Sequence, residues 1–229
     1  DMVIDAKEYR RVCSCGRKHE MTTDFCVVES GCLKKMDEYL AQAGMSGFCA
    51  VVYDENTYKA AEGVKPVADQ EIVLNPEHLH ATEKAVAQVL EQLSPKAQYL
   101  IAVGAGTIHD ITRYCAHERE IPFISCPTAA SVDGFCSSVA AMTWYGCKKT
   151  MPARAPRFVV ADLDIIAKAP LFLARSGFGD MVGKYVALSD WKIAAVVTGE
   201  FYCEEISEMM EKATAAVLES AKGIAERNM

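Results

Sequence analysis

The stretch QYLIAVGAGTIHD, Gln98 to Asp110, decides how the rest of the chain is read. Its first half is a continuous apolar run, the mark of a strand buried on both faces. It ends in Gly104 and Gly106, and a helical pattern follows to about Glu120. A buried strand that enters a helix through a glycine turn is the unit of a parallel sheet with helical crossovers. The two glycines let the backbone approach a ligand closely, and the helix N-terminus turns its N–H groups toward an anion such as a pyrophosphate. The spacing is not the G-x-G-x-x-G fingerprint, because His109 stands at the third position, and a plain tight turn fits it about as well.

The same alternation runs outward in both directions. Upstream, FCVVES (Phe25 to Ser30), GFCAVVYD (Gly47 to Asp54) and EIVLN (Glu71 to Asn75) have strand character. Helical patterns separate them: LKKMDEYLAQAG with a stop at Gly44, ENTYKAAEG closed by Gly63, and ATEKAVAQVLEQL from Ala81. Downstream, IPFISCP is a strand, VAAMTWYG and CKKTMPA form a hairpin around Gly146, and RFVVADLDII is a further strand and its exit. After Leu171 the strand signal disappears. GDMVGKYVALSDWKIAAVVTG and EEISEMMEKATAAVLESAKGIAERN are helical. We therefore expect an α/β, Rossmann-like parallel sheet with helices on both faces over residues 1–174, and the start of an all-α domain over 175–229. Two helices make a poor domain alone, and the apolar stripe from Ile206 to Ile224 needs something to pack on.

With 229 residues and 51% hydrophobic content the chain can build a substantial core. A net charge of −7 argues against a nucleic-acid interface. No apolar run is long enough to span a bilayer, and DMVIDAKEYRR is not a signal peptide. A cytoplasmic location is expected, and the ten cysteines then read as reduced thiols. Most, including Cys49, Cys126 and Cys203, lie in apolar stretches where Cys serves as a small hydrophobe. CSCGRKH, with Cys13, Cys15 and His19, lacks a second ligand pair and fits no common zinc spacing, which favours a structural or incidental role. His78 and His80 stand at a helix entrance and read as a solvated pair.

Other stretches carry chemistry. Asp54 ends a strand, where an acid can accept hydrogen bonds from an adenosine ribose or simply cap a helix. CPTAASVDGFCSS, from Cys126, places Thr128, Ser131, Asp133, Ser137 and Ser138 beyond a strand end, a loop of small and hydroxyl-bearing residues that makes room for a ligand. In SGFGDMVGKY, Gly177 and Gly179 precede Asp180 as if a glycine turn delivered one acid to a helix entrance. On spacing alone that acid is an N-cap.

Taken in order, CSCGRKH, VYDENTY, VGAGTIHDITRY, IPFISCPTAASVDGFCS, ADLDII, SGFGDMVGKYVALSDWK and TGEFYCE resemble the sn-glycerol-1-phosphate dehydrogenase family, within the dehydroquinate synthase-like and iron-containing alcohol dehydrogenase superfamily. The resemblance implies a Rossmann-like domain and a helical domain with the active site between them. It implies interconversion of dihydroxyacetone phosphate and sn-glycerol 1-phosphate with NAD or NADP and a divalent metal (zinc, iron or nickel). Asp54 would then meet the ribose, which leans toward NADH because a carboxylate repels a 2′-phosphate. Gly104, Ala105, Gly106 and Thr107 would hold the pyrophosphate, with Asp110 in the same motif and Arg113 where lysine is common. Thr128, Ser131 and Ser137 would line the nucleotide site, Asp133 would face the substrate hydroxyl, and Asp180 would be a metal ligand.

One departure is plain. The family's partner ligands are histidines beyond Asp180, and this sequence has none after His117. We expect a chain lacking most of the helical domain, poorly active alone, with an incomplete metal ligand set. A homo-oligomer or a complementing helical partner is expected, the partner carrying the missing histidines. A non-catalytic nucleotide-binding module is the alternative of another class. Glycerol dehydrogenase-like or dehydroquinate synthase-like chemistry is the nearer one.

Overall fold

The computed structural model describes residues 2–19 and 21–226. In chain order the elements are β1 (Met2–Asp5), β2 (Phe25–Glu29), α1 (Met36–Gln42), β3 (Cys49–Asp54), α2 (Glu55–Ala60), β4 (Gln70–Leu74), α3 (Glu83–Gln92), β5 (Tyr99–Gly104), α4 (Gly106–Glu118) and β6 (Phe123–Pro127). A hairpin follows, β7 (Val139–Trp144) and β8 (Cys147–Pro152), then β9 (Val159–Asp162). The remainder is helical: α5 (Leu163–Ile166), α6 (Leu171–Val182), α7 (Lys184–Thr198), α8 (Glu204–Glu219) and α9 (Ala221–Glu226).

Seven strands form one sheet in the order β1-β2-β9-β6-β5-β3-β4. All neighbours are parallel except β1, which runs antiparallel to β2 at the edge. Strand β5 shows why the sheet is covered twice. Leu100 and Ala102 enter one core with Val86 and Val89 of α3 and Ile108 and Ile111 of α4. Tyr99, Ile101 and Val103 enter the other with Leu33, Met36, Phe158 and Ile165. Side chains alternate across a strand, so a run apolar at every position must be buried on both faces. The doubly covered α/β sheet read from the sequence is therefore present.

The chain moves outward from β3 to β4 but in the opposite direction from β5 to β6. The strand order thus reverses between β3 and β5, and in such sheets ligands bind outside the carboxyl ends of the strands at that point. Asp54 and Gly104 end these two strands.

Three features differ from the sequence reading. Strand β1 was not anticipated. Its exposed Met2 and Val3 carry no burial signature. The glycine turn before Asp180 is not a turn: Gly177 and Gly179 lie inside α6, and Asp180 occupies its last turn instead of capping a new helix. A Cβ on Gly177 would lie 2.0 Å from the Ala130 carbonyl oxygen, so the glycine serves a close approach of helix to loop. Finally, all structure after Asp162 is helical among the described residues, and the division expected at Ala174 falls within α6. The hairpin is as expected, with Tyr145 and Gly146 both at positive φ in a two-residue turn. Helices α6, α7 and α8 pack on one another, while Ile193, Val196 and Val197 of α7 are exposed.

Candidate functional site

A cavity of about 590 Å³ opens at the N-terminus of α4, within the range of small-molecule sites. Its wall includes Ala105, Gly106, Thr107 and Asp110 from the β5–α4 junction. The β6–β7 loop contributes Ser131, Asp133, Phe135 and Ser137, and α6 contributes Ser176 and Asp180. The glycine turn, the small-residue loop and the lone acid, 76 positions apart from first to last, are thus neighbours.

Helix α4 begins without a capping side chain and without an acid in its first turn. Its leading N–H groups and positive dipole end are left for an anion at the cavity wall. Gly104 is confined: a Cβ there would lie 2.5 Å from that of Ile108. The main chain of Thr128 donates to the Gly104 carbonyl at 2.9 Å, which locks the ends of β5 and β6 together.

Two buried side chains from α4 shape the site. His109 is fully enclosed. Its Nδ1 donates to the Ala105 carbonyl at 3.0 Å, so Nε2 accepts from the Ser125 hydroxyl at 2.8 Å. Burial holds it neutral, with its pKa pushed down to about 3. Arg113 is buried as well. It bonds the Asp110 carboxylate at 3.0 Å and the carbonyls of Val139, Gly134 and Phe135 at 2.9, 2.7 and 3.2 Å. It pins the loop that carries Asp133 and Ser137. Burial raises the pKa of Asp110, and Arg113 opposes that rise. The sequence marked Arg113 only as a substitution and did not mark His109 as a site organiser; a basic residue and a histidine inside an otherwise apolar helix face were the available signal.

At the far wall the Asp180 carboxylate accepts the Asp133 main-chain N–H at 2.8 Å. The Asp133 carboxylate pairs with Lys184, whose own pKa is raised by that bond. Lys184 went unread in the sequence, four positions beyond Asp180. Asp54 and Thr128 do not line the cavity. Asp54 caps α2 in a reciprocal box with Thr57, accepting its N–H at 2.8 Å. Ser137 bonds the main chain of Val139.

The residues present suit a dinucleotide phosphate: uncapped amides, no nearby first-turn acid, and a roomy wall of small side chains. They do not suit a catalytic metal. Among the described residues, Asp180 belongs to no group of three or more His, Cys, Asp or Glu side chains close enough to share an ion.

Comparison with known proteins identifies the family. The family model for iron-containing alcohol dehydrogenase matches residues 27–170. A glycerol-1-phosphate dehydrogenase [NAD(P)+] of Bacillus licheniformis is 34% identical, over 99% of this chain and 59% of its own length. That of Geobacillus stearothermophilus is 35% identical, over 94% and 56%. The chain thus spans less than two thirds of the length of these curated relatives. Among solved structures, a protein described as a probable glycerol dehydrogenase from Sinorhizobium meliloti superposes with a TM-score of 0.74 at 20% identity, covering 87% of this chain and 57% of the other. That likeness is one of fold.

Proposed function

The chain belongs to the iron-containing alcohol dehydrogenase family, and from that premise we propose that it supplies the nucleotide-binding part of an NAD(P)H-dependent oxidoreductase interconverting dihydroxyacetone phosphate and sn-glycerol 1-phosphate. The observation that carries this reading is the uncapped N-terminus of α4 at the cavity wall, beside the reversal of strand order. The names of the two bacterial relatives supply glycerol 1-phosphate and the nucleotide; dihydroxyacetone phosphate is the ketone that oxidation of its secondary hydroxyl gives.

Gly104, Ala105, Gly106 and Thr107 would hold the pyrophosphate through main-chain N–H groups. Asp54 keeps one carboxylate oxygen on Thr57 and would offer the other to a ribose hydroxyl. Ser131 and Ser137 would border the nucleotide, with Thr128 behind them joining β6 to β5, and the Asp110–Arg113 pair keeps their loop in place. When bound, the nicotinamide supplies or accepts the hydride. Asp133 would accept a hydrogen bond from the substrate hydroxyl and orient its carbon toward the nucleotide. Lys184 holds the Asp133 carboxylate in position by ion pairing.

Asp180 is proposed as one ligand of a divalent ion whose remaining ligands are not in this sequence, which has no histidine after His117. We assign no step to that ion. The direct test is titration of the purified chain with NADH and NADPH, followed by nicotinamide fluorescence, and then an assay with dihydroxyacetone phosphate and added metal. Binding of a dinucleotide without appreciable turnover is expected. Failure to bind either nucleotide at millimolar concentration would sink the reading. Turnover at an ordinary enzymatic rate would instead refute the incomplete metal site.

A further inference from the structure

The CSCGRKH segment, set aside in the sequence because it lacks a second ligand pair and fits no common zinc spacing, gains a fourth candidate ligand in the fold. Cys203, read as a small hydrophobe, is the residue immediately before α8, and its sulfur lies 3.5 Å from that of Cys13. His19 Nε2 lies 3.4 Å from the Cys15 sulfur and 3.6 Å from that of Cys203. All four ligand atoms fall within 4.8 Å of one another. We propose that Cys13, Cys15, His19 and Cys203 form a structural site for a thiophilic divalent cation, zinc by preference, separate from the nucleotide cavity and from Asp180.

The distances match that chemistry. A tetrahedral zinc with bonds of about 2.3 Å to sulfur and about 2.0–2.1 Å to nitrogen holds its sulfurs about 3.8 Å apart and sulfur from nitrogen about 3.6 Å. A three-thiolate, one-imidazole set selects zinc over the oxygen-seeking magnesium or calcium. A disulfide would need sulfurs about 2.05 Å apart, and Cys13 and Cys203 are free thiols.

The local backbone is built to aim the ligands. Val12 and Lys18 form an antiparallel bridge, Cys13 N–H donates to the Arg17 carbonyl at 2.9 Å, and Gly16 N–H returns to the Cys13 carbonyl at 2.9 Å. Gly16 takes the positive φ of +80° that closes this turn. The result folds Cys13, Cys15 and His19 onto one side of a small loop, facing the start of α8. The Cys15 main-chain N–H points at the Cys13 sulfur. Glu205, next to the site, is already engaged by Arg11 and Ser14. Arg17 lies over the Phe201 ring at 3.6 Å, closing the same seam. On binding, each thiol gives up its proton to solvent as its sulfur bonds the metal, and imidazole binds neutral through Nε2.

The consequence is mechanical. The site clamps the connection between β1 and β2 to the helical layer that also carries Asp180. It stands whether or not the proposed substrate is right, because its readout needs no turnover.

X-ray absorption at the zinc edge of the purified, metal-loaded chain is the decisive measurement, and it requires no variant. About three sulfurs near 2.3 Å and one nitrogen near 2.0–2.1 Å are expected. A shell of oxygen and nitrogen alone overturns the proposal. Cobalt substitution should give thiolate-to-metal charge-transfer bands that weaken in Cys203→Ser and are unchanged in Asp180→Asn. Bands of unchanged intensity in folded Cys203→Ser, or a Cys13–Cys203 disulfide found by peptide mapping of protein kept reduced, also overturn it.

Discussion

The main-chain N–H of Asp133 donates to the carboxylate of Asp180 at 2.8 Å, joining the loop between β6 and β7 to the last turn of α6. Asp180 therefore has a structural task in addition to any ligand it holds. Asp180→Ala leaves that N–H to water and should cost ~1 kcal/mol. In a chain of this size that is about 2–4 °C in Tm. Asp180→Asn keeps an acceptor oxygen and should lose less. A thermal scan of both variants checks the order. An alanine variant as stable as wild type would show that the bond contributes nothing.

Helix α6 touches the same loop at a second point, through Gly177. Adding a Cβ 2.0 Å from the Ala130 carbonyl forces helix and loop apart. Gly177→Ala should destabilise by ~1–3 kcal/mol, as other overpacked contacts do. Gly179, two residues further along the same helix, meets nothing within 4 Å. Gly179→Ala should be neutral or stabilising by up to ~1 kcal/mol, from helix propensity alone. Opposite signs in urea unfolding are the expected outcome; equal effects would contradict this packing.

Arg113 is the anchor on the loop's other side. Arg113→Met would remove the charged partner of Asp110 and one donor from each of three carbonyls, of which those of Val139 and Gly134 keep Ser137 as a second donor, with an expected cost of ~3–5 kcal/mol. Arg113→Lys keeps the charge but not the planar fork, and should cost about 1–3 kcal/mol. Proteolysis between Ser131 and Val139 should accelerate in the lysine variant before the sheet is lost. If cleavage there is unchanged while global stability falls, the arginine supports the core and not the loop.

These contacts mark where sequence reading succeeds and where it stops. Strands β3, β5, β6 and β9 were legible because burial on both faces demands apolar residues at nearly every position, whereas β2 and the edge strand β4 are only partly buried and showed shorter apolar runs. The edge strand β1 demands nothing of its outer side chains, so Met2 and Val3 gave no signal. Gly177 and Gly179 read as a turn because glycine is a weak helix former. The cause of Gly177 lies 47 residues away, at Ala130, where no local pattern reaches. The same holds for Cys203, which completes the cluster of Cys13, Cys15 and His19 only after folding. Asp180 and the glycine turn of β5 were placed together by resemblance and are brought to one cavity by the fold. Asp54 showed both readings at once, a strand-end acid whose visible task is a helix cap.

His109 sets a pH dependence. Buried and neutral, it has a pKa of about 3 in the folded chain against 6.5 for an ordinary histidine. The folded-state value is the lower one, so the unfolded chain takes up the proton first. The contribution is complete above about pH 6.5 and is lost progressively as pH falls toward 3. Between about pH 6.5 and about pH 5 the loss should amount to ~2 kcal/mol. Carboxylates titrate lower in the same range, so the comparison is with His109→Asn, which retains hydrogen-bonding groups but cannot acquire this proton. Urea unfolding of both proteins at about pH 7.5 and about pH 5 should show a steeper acid loss in the wild type. Parallel losses would mean that His109 becomes charged in the folded protein, and that water reaches it behind the Ser125 hydroxyl.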